Sequence, residues 1–555
     1  MTSLLPYIKQ IFLFHNDAPL IFTQLYFWIF YAVVLLFYSI LYKNKPVRST
    51  YLFLISLFFY YKTSGFFFFL LIFSTLVDFF IGKGIYNSKR DFVKKLLIAL
   101  SVTVNLLVLS YFKYAYFFVD SVNYLLGTHF QVSNILSAYA NDLFGTHFDI
   151  DKILLPVGIS FYTFQTISYS IDIYRKQIKP LNNILDFGFF VSFFPQLVAG
   201  PIVRAGDFVN QIKENFHLTK EEFGIAVFMI LNGLIKKMVL ADFIALNLID
   251  RVFANPLSYS GVEGTLALIG YSLQVYADFS GYTDIAIGVA LLMGFRLPQN
   301  FNSPYKAQNT GEFWKRWHMS LSSWLKDYLY IPMGGNRKGT FFTYLSISIL
   351  LIIIAMLAHN WILLPIFAGS SLVLFIIARF SPSFKRWINT NINILTTMLL
   401  GGLWHGASFK FILWGGLNGI GIIIYKLWKR ISPYEGKNNP LIVVWRIALT
   451  FSFITFTRIW FRSDNMQKAN DLIHQIINHF DWHMIPSVFI GYKTVLFVML
   501  GGFIIHWLSV KTKNWYRQTF VDLHYSLKIL IVVAVVFLIY QTRTVGLQPF
   551  IYFQF

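Results

Sequence analysis

Apolar runs long enough to cross a membrane recur along this chain from residue 21 to residue 541, and no long polar interval separates them. A helix needs about 20 predominantly apolar residues to span the hydrocarbon core of a bilayer. The runs predict helices at 21–42, 63–82, 96–119, 153–173, 184–199, 222–246, 264–294, 341–357, 361–379, 408–428, 441–460, 492–510 and 526–541. Several are shorter than a span or carry charge. The pattern therefore predicts an all-α polytopic membrane protein with about ten to thirteen membrane helices plus interfacial and re-entrant segments.

Composition agrees. Of 555 residues, 56% are hydrophobic and 13% charged, against about 25% charged in an ordinary soluble domain. A single membrane-embedded domain, 1–555, is the expectation, with no internal repeat and no soluble appendage. Cysteine is absent, which excludes disulfides, thiolate metal sites and a thioester on the protein itself. The net charge of +21 is read as the positive-inside rule and attraction to anionic lipid, not as a nucleic-acid signal.

The first run is too long for a signal-peptide h-region and lacks a basic n-region, so it is expected to stay in the membrane. Lys43, Lys45 and Arg48 follow it, and Lys83, Lys89, Arg90, Lys94 and Lys95 follow the Phe-rich run at 63–82. Both flanks read as cytoplasmic, which puts the N-terminus outside and makes 51–82 a hairpin or re-entrant pair. The nearly base-free 120–150 reads as an outer loop, and Arg175, Lys176 and Lys179 mark the return. Ile431–Pro440 reads as a loop, and Asp471–Phe480 as a short surface amphipathic helix.

Four segments carry candidate chemistry. Glu312–Tyr330 puts Trp314, His318, Leu321 and Leu325 on one face of an interfacial helix too charged to span, so His318 points toward the protein or the membrane. Residues 398–419 place His405 in an apolar stretch between glycine pairs. Ionisable groups at membrane depth usually line a cavity or pathway, while paired glycines allow both close packing and a helix break. The residues alone leave open whether His405 is a proton acceptor, for which its ordinary pKa near 6.5 suits it, or an incidental member of a packing site. Residues 271–284 bring Asp278 beside Tyr271 and Tyr282, a relay or a structural network, with Asp284 on another face. The loop 331–339 offers Asn336, Arg337 and Lys338 to a pyrophosphate without Walker spacing. No H-E-x-x-H or G-x-S-x-G motif occurs, and no metal is expected.

Taken in order, Leu155–Arg175, Phe193–Arg204, Tyr276–Phe301, Glu312–Arg337 and Leu399–Trp414 resemble the membrane-bound O-acyltransferase (MBOAT) family, in the bacterial branch of alginate O-acetylation and teichoic acid D-alanylation proteins. Thr457–Arg462 and Phe550–Phe555 are similar to the alginate-type members. The resemblance implies an MBOAT-type helical bundle around a transmembrane tunnel. It implies that 151–430 is the catalytic core, flanked by N-terminal helices in 1–150 and C-terminal helices in 431–555. It also makes His405 and His318 the catalytic pair. Trp404, Trp317, Asn336, Arg337, Lys338 and Asp278 are the expected substrate-binding residues. The histidines are 405 − 318 = 87 residues apart, more than is usual in this branch, and 341–380 is read as an inserted helical hairpin.

The resemblance further implies a multi-pass enzyme of the bacterial cell (inner) membrane that holds no permanent cofactor and takes acetyl-CoA or another acyl thioester as donor. His405 would take the proton of an acceptor hydroxyl while His318 or backbone amides stabilise the oxyanion. The expected partners are lipid, a cell-surface polysaccharide acceptor and an extracytoplasmic SGNH-type acetyltransferase. A D-alanyl transferase fed by a carrier-protein thioester, and a non-enzymatic transporter or channel, are the competing readings.

Overall fold

The computed structural model describes residues 12–14, 19–198, 200–358, 360–542 and 550, and among these there are helices and no strand. Of the expected features, His359 and Phe550–Phe555 other than Phe550 lie outside the described residues. Seven helical stretches are long and apolar enough to cross a membrane, or eight if the pair Trp482–Gly491 and Lys493–Trp507, bent by 87°, is one span. This is fewer than the run count, for two reasons. Leu25–Leu41 and Phe341–Leu357 are only 17 residues each. Ile159–Tyr174 and Ile184–Ser192 are shorter still, and Gly261–Leu292 is long but carries buried Tyr and Asp, which dilute its apolar signal.

The stretch Lys45–Asn87 folds back on itself, as its two basic flanks require. Gly65, with φ +63°, ends the helix Lys45–Ser64 before Phe68–Asn87 begins. A straight helix would hold Phe53 and Phe79 about 39 Å apart. Instead Phe53 packs on Gly188 and Phe79 on Phe187, both in the short helix Ile184–Ser192. The later hairpin also forms, from Phe341–Leu357 and Leu363–Phe380, and no residue of the second helix is buried.

Buried polar networks join the helices, because backbone and side-chain polar groups inside a bilayer have no water to bond. Asp78 accepts from Ser101 (2.5 Å), Asn105 (2.7 Å) and Ser170 (2.9 Å), tying three helices together. Lys237 pairs with Asp278 at 2.5 Å and Asp242 at 2.8 Å, and Lys236 with Asp284 at 2.7 Å. Both lysines sit on a π-helical turn, Ile235–Ala241.

The segment 120–150 holds a repeat that reading by hydropathy misses. Gly127-Thr128-His129-Phe130 recurs as Gly145-Thr146-His147-Phe148. In the first copy Asn123 exchanges bonds with the Phe130 backbone at 2.7 and 2.8 Å, and in the second Asn141 does the same with Phe148 at 2.8 and 2.9 Å. The unit is a helix C-terminus closed by a left-handed glycine, too short for an apolar-run analysis to register.

Lys220–Leu234 and Gly261–Leu292 approach through small residues. A Cβ on Gly233 would lie 2.5 Å from the Gly281 carbonyl oxygen, and one on Gly281 2.7 Å from that of Gly233. Gly281→Ala must push these backbones apart, and overpacking of this kind costs about 1–3 kcal/mol. The expected result is a lower thermal midpoint in detergent, whereas Gly369→Ala, with open space around it, leaves the midpoint unchanged.

Candidate active site

His405 is the last residue of the helix Pro382–His405, a helix the apolar-run count missed because Asn389, Asn391, Asn393, Thr396 and Thr397 stud its buried face. The chain breaks at Gly406 and re-enters a helix at Phe409–Ile431. Glycines allow both the break and the packing around it. A Cβ on Gly406 would stand 2.3 Å from the Phe411 ring, and Cβ atoms on Gly402 and Gly415 would each meet a backbone oxygen of the opposite helix at 2.3 Å. The break frees the carbonyls at the helix end, and one π-helical turn, Ser110–Tyr114, meets two of them. Lys113 Nζ donates to the Trp404 carbonyl at 2.6 Å and Tyr114 Oη to that of Leu403 at 2.9 Å.

The His405 imidazole, 5% exposed, is ringed by Trp404, Trp414 and Phe461, with centroids at 4.7, 5.1 and 5.3 Å. Two cavities meet there. One, of about 70 Å³, is bounded by Lys113, Val157, Gly158, Ser160 and Trp404. The other, of about 20 Å³, is bounded by Trp314, Trp317, Trp414, Asn418 and Arg458. Among the described residues, His405 is the one in both walls. On the orientation expected from the flanking charges, the first is here called the outer cavity and the second, beside the basic 312–330, the inner one.

His318 does not lie on a continuous amphipathic helix as expected. The segment breaks into Thr310–Arg316 and Met319–Leu325, with His318 between them at φ +43° and ψ +57°. The cause is Asn300. Its backbone carbonyl accepts from Met319 N (2.9 Å), and its Oδ1 accepts from Ser320 N (3.2 Å) and Ser320 Oγ (2.9 Å). His318 Nδ1 lies 3.1 Å from the same Oδ1. An oxygen already accepting from an N–H requires Nδ1 to donate, so Nε2 carries the lone pair. The ring stands edge-on to Phe279 at 4.7 Å and is 6.3 Å from the Trp404 ring. Trp404 thus separates the two imidazoles, and Phe164 stacks between it and Trp324 at 5.5 and 3.9 Å.

Of the other expected binding residues, Trp404 borders the outer cavity and Trp317 the inner. Asn336, Arg337 and Lys338 are exposed in a loop that reaches neither cavity. There the Asn336 side chain accepts from Tyr330 at 2.7 Å. Asp278 belongs to the Lys237 ion-pair network and is absent from both walls. Three contributors were not singled out from sequence: Lys113, Asn300 and Arg458. Arg458, 5% exposed, bonds Tyr305 Oη at 2.7 Å and lies 4.9 Å from the Trp317 ring centroid. Lys113 is a lone cation in its apolar run, and Asn300 and Arg458 lie inside the motif stretches Tyr276–Phe301 and Thr457–Arg462, which were the signals available. No group of three or more His, Asp or Glu side chains among the described residues has metal-binding geometry.

The molecule is thus a helical membrane protein with a buried histidine in the walls of two cavities. Residues 92–357 match the model of the membrane-bound O-acyltransferase family. The chain is 36% identical over 418 residues to a Pseudomonas putida protein named probable alginate O-acetylase AlgI, covering 73% of this chain and 72% of that one. It is 30% identical over 476 residues to the peptidoglycan O-acetyltransferase of Helicobacter pylori, with 80% and 77% covered. Over 310 residues it is 27% identical to the teichoic acid D-alanyltransferase of Bacillus subtilis, with 54% and 67% covered. The chain belongs to the MBOAT family, and it is a multi-pass membrane O-acyltransferase.

His318 lies outside the membrane-crossing stretches, and burial pushes its pKa down to about 3. Its neutral form therefore stabilises the fold fully above the ordinary histidine value near 6.5, and that contribution is lost as pH falls from there toward 3. In ¹⁵N-histidine NMR spectra His318 is expected to stay neutral, protonated at Nδ1, from pH 8 to pH 5; a titration near pH 6.5 would contradict this.

Proposed function

We propose that this chain takes acetyl groups from acetyl-CoA on the cytoplasmic side of a bacterial cell membrane and moves them across for O-acetylation of a cell-surface polysaccharide. The observation that carries the reading is the position of His405 in the walls of both cavities, where a donor entering from inside and an acceptor entering from outside would meet. His405 removes the hydroxyl proton as the acceptor oxygen attacks the thioester carbonyl. The tetrahedral intermediate collapses, the C–S bond breaks, and the thiolate leaves with that proton.

Asn300 leaves His318 Nε2 an acceptor, so this ring is a poor donor to an oxyanion. Backbone amides, with the positive charge of Arg458 on the inner side, suit that role better, and His318 acts by positioning. Exposed Asn336, Arg337 and Lys338 suit the anionic part of the donor. An extracytoplasmic SGNH-type acetyltransferase completes transfer to the polymer. The named activities of the Pseudomonas putida and Helicobacter pylori relatives support acetyl as the group moved and a wall or surface glycan as its destination. The Bacillus subtilis relative keeps a second reading, D-alanyl transfer from a carrier thioester, and a donor assay separates the two.

General-base catalysis contributes about 10²–10⁴-fold. In proteoliposomes given radiolabelled acetyl-CoA, His405→Ala is expected to lower acetyl transfer by at least that lower bound while protein yield and fold persist. Normal turnover by this variant would overturn the assignment.

A further inference from the structure

Outside both cavity walls, one more histidine is buried with its proton unmet. His506 is 2% exposed and stands in the last turn of the helix Lys493–Trp507. Its Nε2 accepts from the backbone N–H of Tyr305 at 3.2 Å, so the neutral ring carries its proton on Nδ1. That donor meets no acceptor among the described residues. A buried donor left unmet costs free energy, and an incoming oxygen would relieve it.

Three lysines gather around this helix end. Lys513 Nζ donates to the His506 carbonyl at 2.7 Å and to Ser303 Oγ at 2.9 Å. Lys306 Nζ, one residue beyond Tyr305, donates to the Leu508 carbonyl at 2.6 Å. Lys236 Nζ lies 5.8 Å from the centroid of the Tyr276 ring, which the His506 ring meets edge-on at 4.5 Å. Asp284 neutralises Lys236 at 2.7 Å. Neither Lys306 nor Lys513 belongs to an ion pair among the described residues. Capping the end of Lys493–Trp507 accounts for only part of their charge: a helix C-terminus carries about half a negative charge, and two ammonium groups exceed it. Burial, with the charges of Lys306 and Lys236, pushes the Lys513 pKa down to about 8, the direction for a cation short of negative charge.

The same helix end shows what kind of anion fits. Phe497, Leu500, Ile504 and Trp507 share one face of Lys493–Trp507 by helical spacing, and all four are exposed. This stripe ends at Trp507, between the two carbonyls that the lysines bond. The next helix, Val510–Asp522, exposes Trp515 and adds Lys511 and Arg517. Apolar surface leading to tryptophan and then to fixed cations follows the order of acyl chain, interface and headgroup in a lipid.

We infer that Lys306 and Lys513, beside His506, seat the phosphate of an anionic phospholipid whose acyl chain lies along Phe497, Leu500 and Ile504. The seat is separate from the cavities at His405 and does not depend on which acyl group the enzyme moves.

The test is native mass spectrometry of the full-length protein, released from detergent containing equimolar phosphatidylglycerol and phosphatidylcholine with the same chains. Each lysine near an anionic headgroup contributes about five-fold in affinity, so the wild type is expected to retain phosphatidylglycerol about 25-fold over phosphatidylcholine. Lys306→Gln or Lys513→Gln alone is expected to cut that preference about five-fold, and the two together to bring it near parity. Glutamine keeps a donor for each carbonyl, and the single variants read the effect where the double does not fold. The Lys306→Arg/Lys513→Arg pair is expected to keep the preference. So is Lys43→Gln/Lys89→Gln, which removes the same charge from exposed positions elsewhere. No preference in the wild type, a preference that survives in the Lys306→Gln/Lys513→Gln pair, or equal loss in the remote pair would each overturn the inference. Displacement of the lipid by equimolar glycerol phosphate or acetyl-CoA would overturn it too, because the cations would then serve a soluble phosphate.

Discussion

A helix that ends inside a membrane protein frees carbonyls that water cannot reach, and the rest of the site depends on how this chain satisfies them. The break after His405 is useful because it turns the imidazole out of a helix side and into a junction between two cavities. Lys113 and Tyr114 make the break tolerable by bonding the carbonyls of Trp404 and Leu403. They reach that distance from a π-helical turn, a local widening of the helix that often accompanies function. The geometry of the histidine is thus set by a segment almost 300 residues earlier in the chain.

The same accounting governs the other buried polar groups. Asp78 and Asp278 each lie buried between helices, and each is met by donors from a neighbouring helix. Removing one partner would leave a buried charge without compensation, which is far more damaging than the net worth of the pair. These networks fix helix register where apolar packing alone, sliding against apolar lipid, does not. Asn300 does the corresponding work in the site: by occupying Met319, Ser320 and His318 together it breaks a helix, sets an imidazole tautomer and aims that ring toward Trp404.

Much of the fold was legible in the linear pattern. The paired basic flanks foretold the hairpin that turns at Gly65, and the two runs at 341–380 foretold the later one. The charged, amphipathic segment after Asn465 is a helix, Met466–Asn478, near the expected boundaries. Hydropathy failed where burial was polar. Pro382–His405 carries Asn and Thr into the protein interior, so its sequence resembles a surface helix although it leads to His405. It failed too for Glu312–Tyr330, whose regular apolar face promised one helix, because the competing bonds from Asn300 are distant in sequence.

The sequence by itself determined that the chain lives in a membrane, that its covalent chemistry cannot involve a protein thiol, and that His405 and His318 were the residues to weigh first. Apolar run length, an absent residue type and an ordered set of motifs are properties of the linear chain, so they need no coordinates. Only the tertiary structure decided that the two imidazoles share Trp404 and that Asp278 is spent on Lys237. It alone set one cation on each side of His405. Those facts depend on which helices touch, and side chains separated by hundreds of residues acquire a common environment only when the chain has packed.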